Sequence, residues 1–384
     1  MPIGIIGGVP GSRRGRSPIL GSFDFTALTP GAVPAVGAIS CVRSTSSGRI
    51  LISVSSVSAA LATNTIRIED NGTRRYALIE EARTNLVSNP RAPQTAPWTS
   101  AGGTPGTPNY IAGPDGSAVA LRAACASGGL CNYQVLTVAA GTYAGSVWQR
   151  YSQSSSTGNA QAILNSGGAT TPLIVANAGQ TWVRCVGVIV SGTSLTLISQ
   201  DGRNQSGAGG QTAQAHDAAV DMFQISLGAH EVSYRDGAGA ADLLSLDATP
   251  YIVGGNLHLD LATVARHASS AFGADQYLAH WDANNHVRVQ QSNRRVMVTL
   301  NGAANQFELP VAVPAFSADQ RVEYFVECGP SQVTHAWVSI DDAVTDLGYS
   351  PTPQASVPTG TMHLLNDGSS ASGAIGLSTV EFRR

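Results

Sequence analysis

Along most of this chain apolar and polar residues alternate one by one in short runs, and Gly, Pro, Asn or Asp ends each run. A period of two belongs to a strand with one face on a core and the other in water. Thr65-Ile-Arg-Ile-Glu69 shows it plainly. Asp70-Asn-Gly-Thr73 then reads as a tight turn, because Asn-Gly accepts positive φ, and Arg75-Tyr-Ala-Leu-Ile-Glu80 as the returning strand. Elsewhere before residue 90 the sequence is Gly- and Ser-rich with little regular period. From 91 to 240 strands and turns alternate closely: Ala118–Arg122, Tyr133–Val138, Tyr143–Tyr151, Gln161–Leu164, Trp182–Val190, Ser194–Ser199 and Asp221–Gly228. A second series follows Asp247-Ala-Thr-Pro-Tyr251: Gln276–Asp282, His286–Gln290, Arg295–Leu300, Gln306–Pro310, Arg321–Glu327 and His335–Ile340. Asp282-Ala-Asn-Asn285 and Asn301-Gly302 read as its hairpin turns. The order predicts an all-β protein, with two tandem β-sandwiches over 91–240 and 241–384 after an irregular N-terminal region, 1–90.

Composition agrees with this and excludes several function classes. With 12% charged residues and 42 glycines among 384, the chain has little material for amphipathic helices. Every basic side chain other than histidine is arginine, so Schiff-base and lysine-base chemistry are ruled out. A net charge of −3, with Arg13-Arg14-Gly-Arg16 as the only basic cluster, argues against nucleic acid as a partner. No apolar run approaches the roughly 18 to 20 residues of a spanning helix, so no membrane insertion is expected. The first residues place apolar side chains before charged ones, the reverse of a secretory signal. Five cysteines, Cys41, Cys125, Cys131, Cys185 and Cys328, are too few and too scattered for a paired framework. Cys125 and Cys131 either bridge a tight loop or remain thiols. No Cys/His spacing suits zinc and no acidic loop suits calcium, Asn366-Asp367-Gly reading as a turn, so no metal or cofactor is expected.

Catalytic patterns are sparse. Glu323 with Glu327, and Asp341 with Asp342, are the pairs nearest to a glycosidase arrangement, and both read as solvent-facing carboxylates. There is no Gly-x-Ser-x-Gly turn, and Gly4-Ile-Ile-Gly-Gly8 lacks the strand and helix of a phosphate loop. The chain is therefore read as no enzyme. Sugar binding suits it better, since pyranose sites combine aromatic faces with Asp, Asn and His that bond hydroxyls. Tyr277, His280, Trp281, Asp282 and Asn284 gather these types at one strand end and hairpin tip. Strict alternation puts Tyr277 and Trp281 on one face and His280 and Asp282 on the other, so only one pair can face solvent. Trp148 alternates away from Val147 and is a further candidate, either exposed or core; Trp98 is expected to plug one end of the first sandwich.

The stretch Tyr76-Ala-Leu-Ile-Glu-Glu-Ala-Arg-Thr-Asn-Leu86 resembles a junction in tailed-bacteriophage virion proteins, of tail-fibre or head-spike type, where a variable leader ends in "LIEEARTNL" before a jelly roll. Trp98, Gly113-Pro-Asp-Gly116, Ser146-Val-Trp148 and Leu227-Gly-Ala-His-Glu231 follow in an order similar to jelly rolls related to carbohydrate-binding modules. Trp337-Val-Ser-Ile-Asp-Asp342 and Ile375–Phe382 resemble the closing strands of concanavalin-like or laminin-G-like sandwiches. The resemblance implies a virion structural protein, a short spike, fibre or decoration assembled in the host cytoplasm. It would dock to other virion proteins through its N-terminal region, form a homo-oligomer with a trimer favoured, and grip a bacterial surface polysaccharide. The alternatives are a purely architectural decoration or tail adaptor, and a polysaccharide depolymerase. At the junction itself, Glu80, Glu81, Arg83 and Asn85 are expected to tie leader to sandwich rather than to carry chemistry.

Overall fold

The computed structural model describes residues 18–43, 51–53, 55–58, 62–91, 93, 95–100, 109–125, 132–151, 160–166, 169–175, 181–199, 216–229, 234–266, 268–271, 274–367 and 375–384. Arg13, Arg14, Arg16, Cys131, His230 and Glu231 lie outside these residues, and with them the basic cluster and the Cys125–Cys131 question. Among the described residues the regular structure is antiparallel strand, with three single 3₁₀ turns and no α-helix.

Two sandwiches are present, and the chain builds them in an order the sequence pattern did not reveal. The larger packs a nine-stranded sheet on an eight-stranded one around a single core that includes Phe25, Ile68, Leu259, Val298, Val338 and Phe382. Residues before 85, read above as an irregular leader, supply strands to both sheets. Ile19–Asp24, Gly31–Val33, Ile66–Asp70 and Arg75–Ile79 belong to the nine-stranded sheet, where Arg75–Ile79 pairs with the C-terminal strand Ile375–Arg383. Ile39–Val42 pairs with Leu243–Asp247 in the other. The smaller sandwich, two five-stranded sheets from Thr99–Ser100 to His216–Leu227, is thus inserted into a larger one whose strands precede and follow it. Pairing partners about 300 to 360 residues apart leave no local trace, which is why strands as short as these read as a coreless leader.

The junction motif is where the chain leaves the larger sandwich. Arg83–Thr84 on the way out pairs with Ala238–Gly239 on the way back, making a two-stranded neck. Around it lies a buried ionic cluster. Asp242 accepts from Arg43 (2.7 Å) and Arg67, Glu80 pairs with Arg67 (2.9 Å) and Arg235 (3.3 Å), and the Glu80 amide donates to Asp242 (3.0 Å). Asn85 uses both ends of its amide: it donates to the Phe223 and Arg235 carbonyls, and accepts from the Val87 and Ile225 amides. Arg83 turns back to Glu81 and packs over Gly228, whose φ of +132° and crowded Cβ position exclude any side chain. Buried charges are tolerated in such a place only when each is paired and hydrogen-bonded.

In the smaller sandwich Trp98 packs on Phe223 with centroids 5.0 Å apart, and its Nε1 donates to the Ser88 carbonyl. Arg91 ties one end together by bonding both Asp115 and Asp221. Burial opposes ionisation of Asp115, but Arg91 and Ser117 outweigh it and hold the carboxyl down at about 2.

Candidate functional site

Strand pairing on the eight-stranded sheet lines up one polar file across its outer face. Ser245 stands opposite His363, His363 opposite His280, His280 opposite His286, His286 opposite Thr299, and Thr299 opposite Gln306. Directly paired residues point to the same side, and their strand neighbours Leu244, Leu364, Ala279, Val287 and Val298 fill the core. A second file beside it pairs Tyr277 with Arg288, and Arg288 with Met297.

A β-bulge brings Tyr277 and His280 together. The register slips between Tyr277 and Ala279, so Leu278 and Ala279 both turn to the core and the residues flanking them both turn out. Tyr277 therefore meets His280 edge-on at 5.1 Å and His286 at 5.5 Å. This corrects the pairing expected from strict alternation: Trp281, the supposed partner of Tyr277, packs instead against the core. Asp282 and Asn284 form the exposed hairpin tip beyond the file, where Asp282 accepts from the Asn284 amide (2.7 Å) and the Asn285 side chain. Trp148 leaves the candidate set. It does alternate away from Val147, but onto a face covered by Trp182, Tyr234 and the Leu51–Val57 hairpin, which leaves it 1% exposed.

The three histidines define the chemistry of the face. His280 and His286 stack at 6.1 Å, and His363 lies 6.2 Å from His280. Desolvation pushes all three below their ordinary value of 6.5. Arg288 adds to the shift at His286 and His363 adds to that at His280, while Asp367 opposes it at His280 and His363. Each is therefore a neutral imidazole near pH 7, with one donor and one acceptor nitrogen. His286 is 6% exposed; the Asp282 backbone carbonyl nears its ring and opposes the shift, but neither ring nitrogen makes a well-formed hydrogen bond. The same holds for Nδ1 of His280 and His363, Nε of Arg288, Oε1 of Gln290 and Oγ1 of Thr299. Buried polar atoms are rarely left this way, and seven of them gather on this one face. Among the described residues no group of three or more His, Cys, Asp or Glu is arranged to hold a metal ion.

The sequence singled out Tyr277, His280 and the hairpin tip, and missed His286, Arg288 and His363. His286 and Arg288 stood with the right parity on the next strand read from the sequence, His286–Gln290; His363 lies far along the chain, and only strand pairing brings it in. Of the carboxylate pairs considered for hydrolysis, Asp341 and Asp342 are chain neighbours that meet the Arg321 amide and guanidinium. Glu323 and Glu327 sit four residues apart on one strand, about 13 Å between Cα atoms, against the roughly 5 to 10 Å a glycosidase needs. A groove of about 700 Å³ runs along the neck over Glu81–Thr84 and Ala238–Ala240, whose residues join the two sandwiches.

No protein-family model and no curated protein matches this chain. Among solved structures it is similar to the N-terminal CBM22-1–CBM22-2 tandem domain of Paenibacillus barcinonensis Xyn10C. The identity is 12% and the TM-score 0.27, over 79% of this chain and 99% of that one. A likeness at that level bears on no residue of the face, so the reading below stands on the geometry of this chain.

Proposed function

We propose that the chain is a non-enzymatic structural protein of a tailed phage or phage-like particle, and that it adheres to a bacterial surface glycan through the outer face of the eight-stranded sheet. The observation that carries the adhesion reading is the file His363–His280–His286, flanked by Tyr277 and Arg288, with its buried ring nitrogens unpartnered. Neutral imidazoles and a guanidinium suit sugar hydroxyls and carboxylates, and the edge of Tyr277 borders the file. The virion reading rests on the Tyr76–Leu86 resemblance, and the neck gives that motif a structural task at the root of the smaller sandwich. Single sites of this sort bind weakly, and presentation of several copies on one particle, as a homotrimer or otherwise, makes the grip strong.

The test is binding of the intact protein to an array of host capsular and lipopolysaccharide glycans, repeated with His286→Ala and with His280→Ala/His363→Ala. We expect binding by the parent and at least tenfold weaker binding by the variants, about 1.4 kcal/mol. Equal binding by parent and variants would remove this face from the reading. A parent that binds no host glycan leaves the architectural alternative, and release of new reducing ends would make the protein a depolymerase.

A further inference from the structure

The opposite side of the larger sandwich carries a second array with different chemistry. On the outer face of the nine-stranded sheet, pairing sets His258, Glu327, His335 and Tyr349 in one file. Glu381, Asp260, Phe325, Trp337 and Asp346 form the next. Leu257, Leu259, Tyr324, Val326, Ala336 and Val338 alternate with these residues and fill the core, so the rings of Phe325, Trp337 and Tyr349 lie outside it. A bulge produces the arrangement at the sheet edge. The register slips between Ala336 and Trp337, Leu347 turns inward, and Gly348 at φ +91° returns Tyr349 to the outside.

His335 is 5% exposed and sandwiched between rings: Trp337 lies at 3.6 Å and Tyr349 at 3.8 Å, the latter nearly parallel at 25°. Its Nε2 bonds Asp346 at 2.9 Å, which fixes the imidazole. Tyr349 is 54% exposed yet held against a ring that cannot turn, so a ligand stacking on it would immobilise little. The polar groups around the rings answer one another: Arg383 bonds Glu381 (2.5 Å), Arg321 pairs with Glu323 (3.2 Å) and His258 Nδ1 lies 3.5 Å from Glu327. Carboxylates outnumber guanidinium groups, with Asp260, Glu323, Glu327, Asp346 and Glu381 against Arg321 and Arg383. Aromatic faces amid an excess of negative charge attract the C–H faces of pyranoses and repel uronates, sialates and phosphates.

We propose that this face is a second sugar site, specific for an uncharged pyranose glycan that stacks on Tyr349 and Trp337, and independent of the histidine face. The experiment is calorimetric titration of the intact protein with uncharged gluco-, xylo-, manno- and galacto-hexaoses, and with an acidic oligogalacturonate as contrast. At least one uncharged hexaose should bind. Tyr349→Ala should weaken it tenfold or more, Tyr349→Phe should stay within about twofold, and His286→Ala on the other face should leave it unchanged. Tyr349 is exposed, so its variants are expected to fold, and melting curves check this directly. Failure of every uncharged hexaose to bind, or equal binding by Tyr349→Ala, would overturn the proposal. So would self-association of the parent that Tyr349→Ala abolishes, since the face would then be a contact between copies. Loss of hexaose binding in His286→Ala would assign the sugar to the other face instead.

Discussion

The two outer faces of the larger sandwich arise from the same alternation of residues and both carry ion pairs, Arg288 with Asp275 on one and Arg321 with Glu323 on the other, yet their central files differ. On the eight-stranded sheet, His280, His286 and His363 are neutral and leave buried nitrogens without partners. On the nine-stranded sheet His258 meets Glu327 and His335 meets Asp346 across neighbouring strands, Arg321 meets Glu323 and Arg383 meets Glu381 along one strand, and the rings stand clear of the core. A face with unanswered donors and acceptors gains by meeting hydroxyls and carboxylates. A face whose carboxylates outnumber its guanidinium groups offers its ring surface chiefly to uncharged partners. Opposed faces of one sandwich lie too far apart to grip one sugar, so two chemically distinct contacts are available from one copy.

The largest expected effect comes from breaking what the two faces share. Arg43 lies at the end of a strand of the eight-stranded sheet, Arg67 lies in the nine-stranded one, and both bond Asp242. Asp242→Ala removes one carboxylate partner from each of two buried guanidinium groups, for a loss of about 3–5 kcal/mol. Chemical denaturation should show it as one lowered transition for the whole larger sandwich, and binding at both faces should fail together above it. A variant that loses one face and keeps the other would mean that the sheets do not depend on a common root.

A medium effect separates the faces by pH. The three histidines have folded values below 6.5, so the unfolded chain takes up protons first as pH falls. Their contribution to stability is therefore complete above about 6.5 and is lost as pH drops through and below it. Melting temperature should fall from pH 7 to pH 5, and His286→Gln should make that fall shallower. Tyr349→Ala should leave the slope as it is. An unchanged slope in His286→Gln would show that the histidine file is not the titrating element.

Much of this contrast was legible in the sequence, and the missing parts share one physical cause. Alternation located the strands that carry Tyr277, His280, Glu323, Phe325 and Trp337, and turn chemistry located Asp70–Thr73, where Gly72 has φ +88°. Alternation alone could not reveal bulges, which need no special residue. One put Tyr277 beside His280 and sent Trp281 to the core, and another put Tyr349 beside His335. Long-range pairing was equally hidden. It folded the supposed leader into both sheets, brought His363 to His280, and covered Trp148 with the hairpin around Leu51 and Val57. The Tyr76–Leu86 motif was visible throughout, and its meaning as a point of departure depended on Ala238–Gly239 returning to it.

The smallest expected effect asks whether the aromatic face is held ready or merely present. Asp346 bonds Nε2 of His335, the ring behind Tyr349, at 2.9 Å. Asp346 also accepts from the Gly348 amide at 2.8 Å, so it braces the bulge that turns Tyr349 outward. Asp346→Asn keeps the shape and both acceptor contacts through its oxygen, but removes the charge that orients the imidazole. The charge lies at an exposed position, so its removal should leave the melting temperature nearly unchanged. If His335 must be fixed for Tyr349 to stack on a sugar, affinity for the uncharged hexaose should fall about two- to threefold, roughly 0.5 kcal/mol. Binding at the histidine face should stay constant in the same preparation. An unaltered affinity would leave Tyr349 as an exposed ring whose backing does no more than fill space.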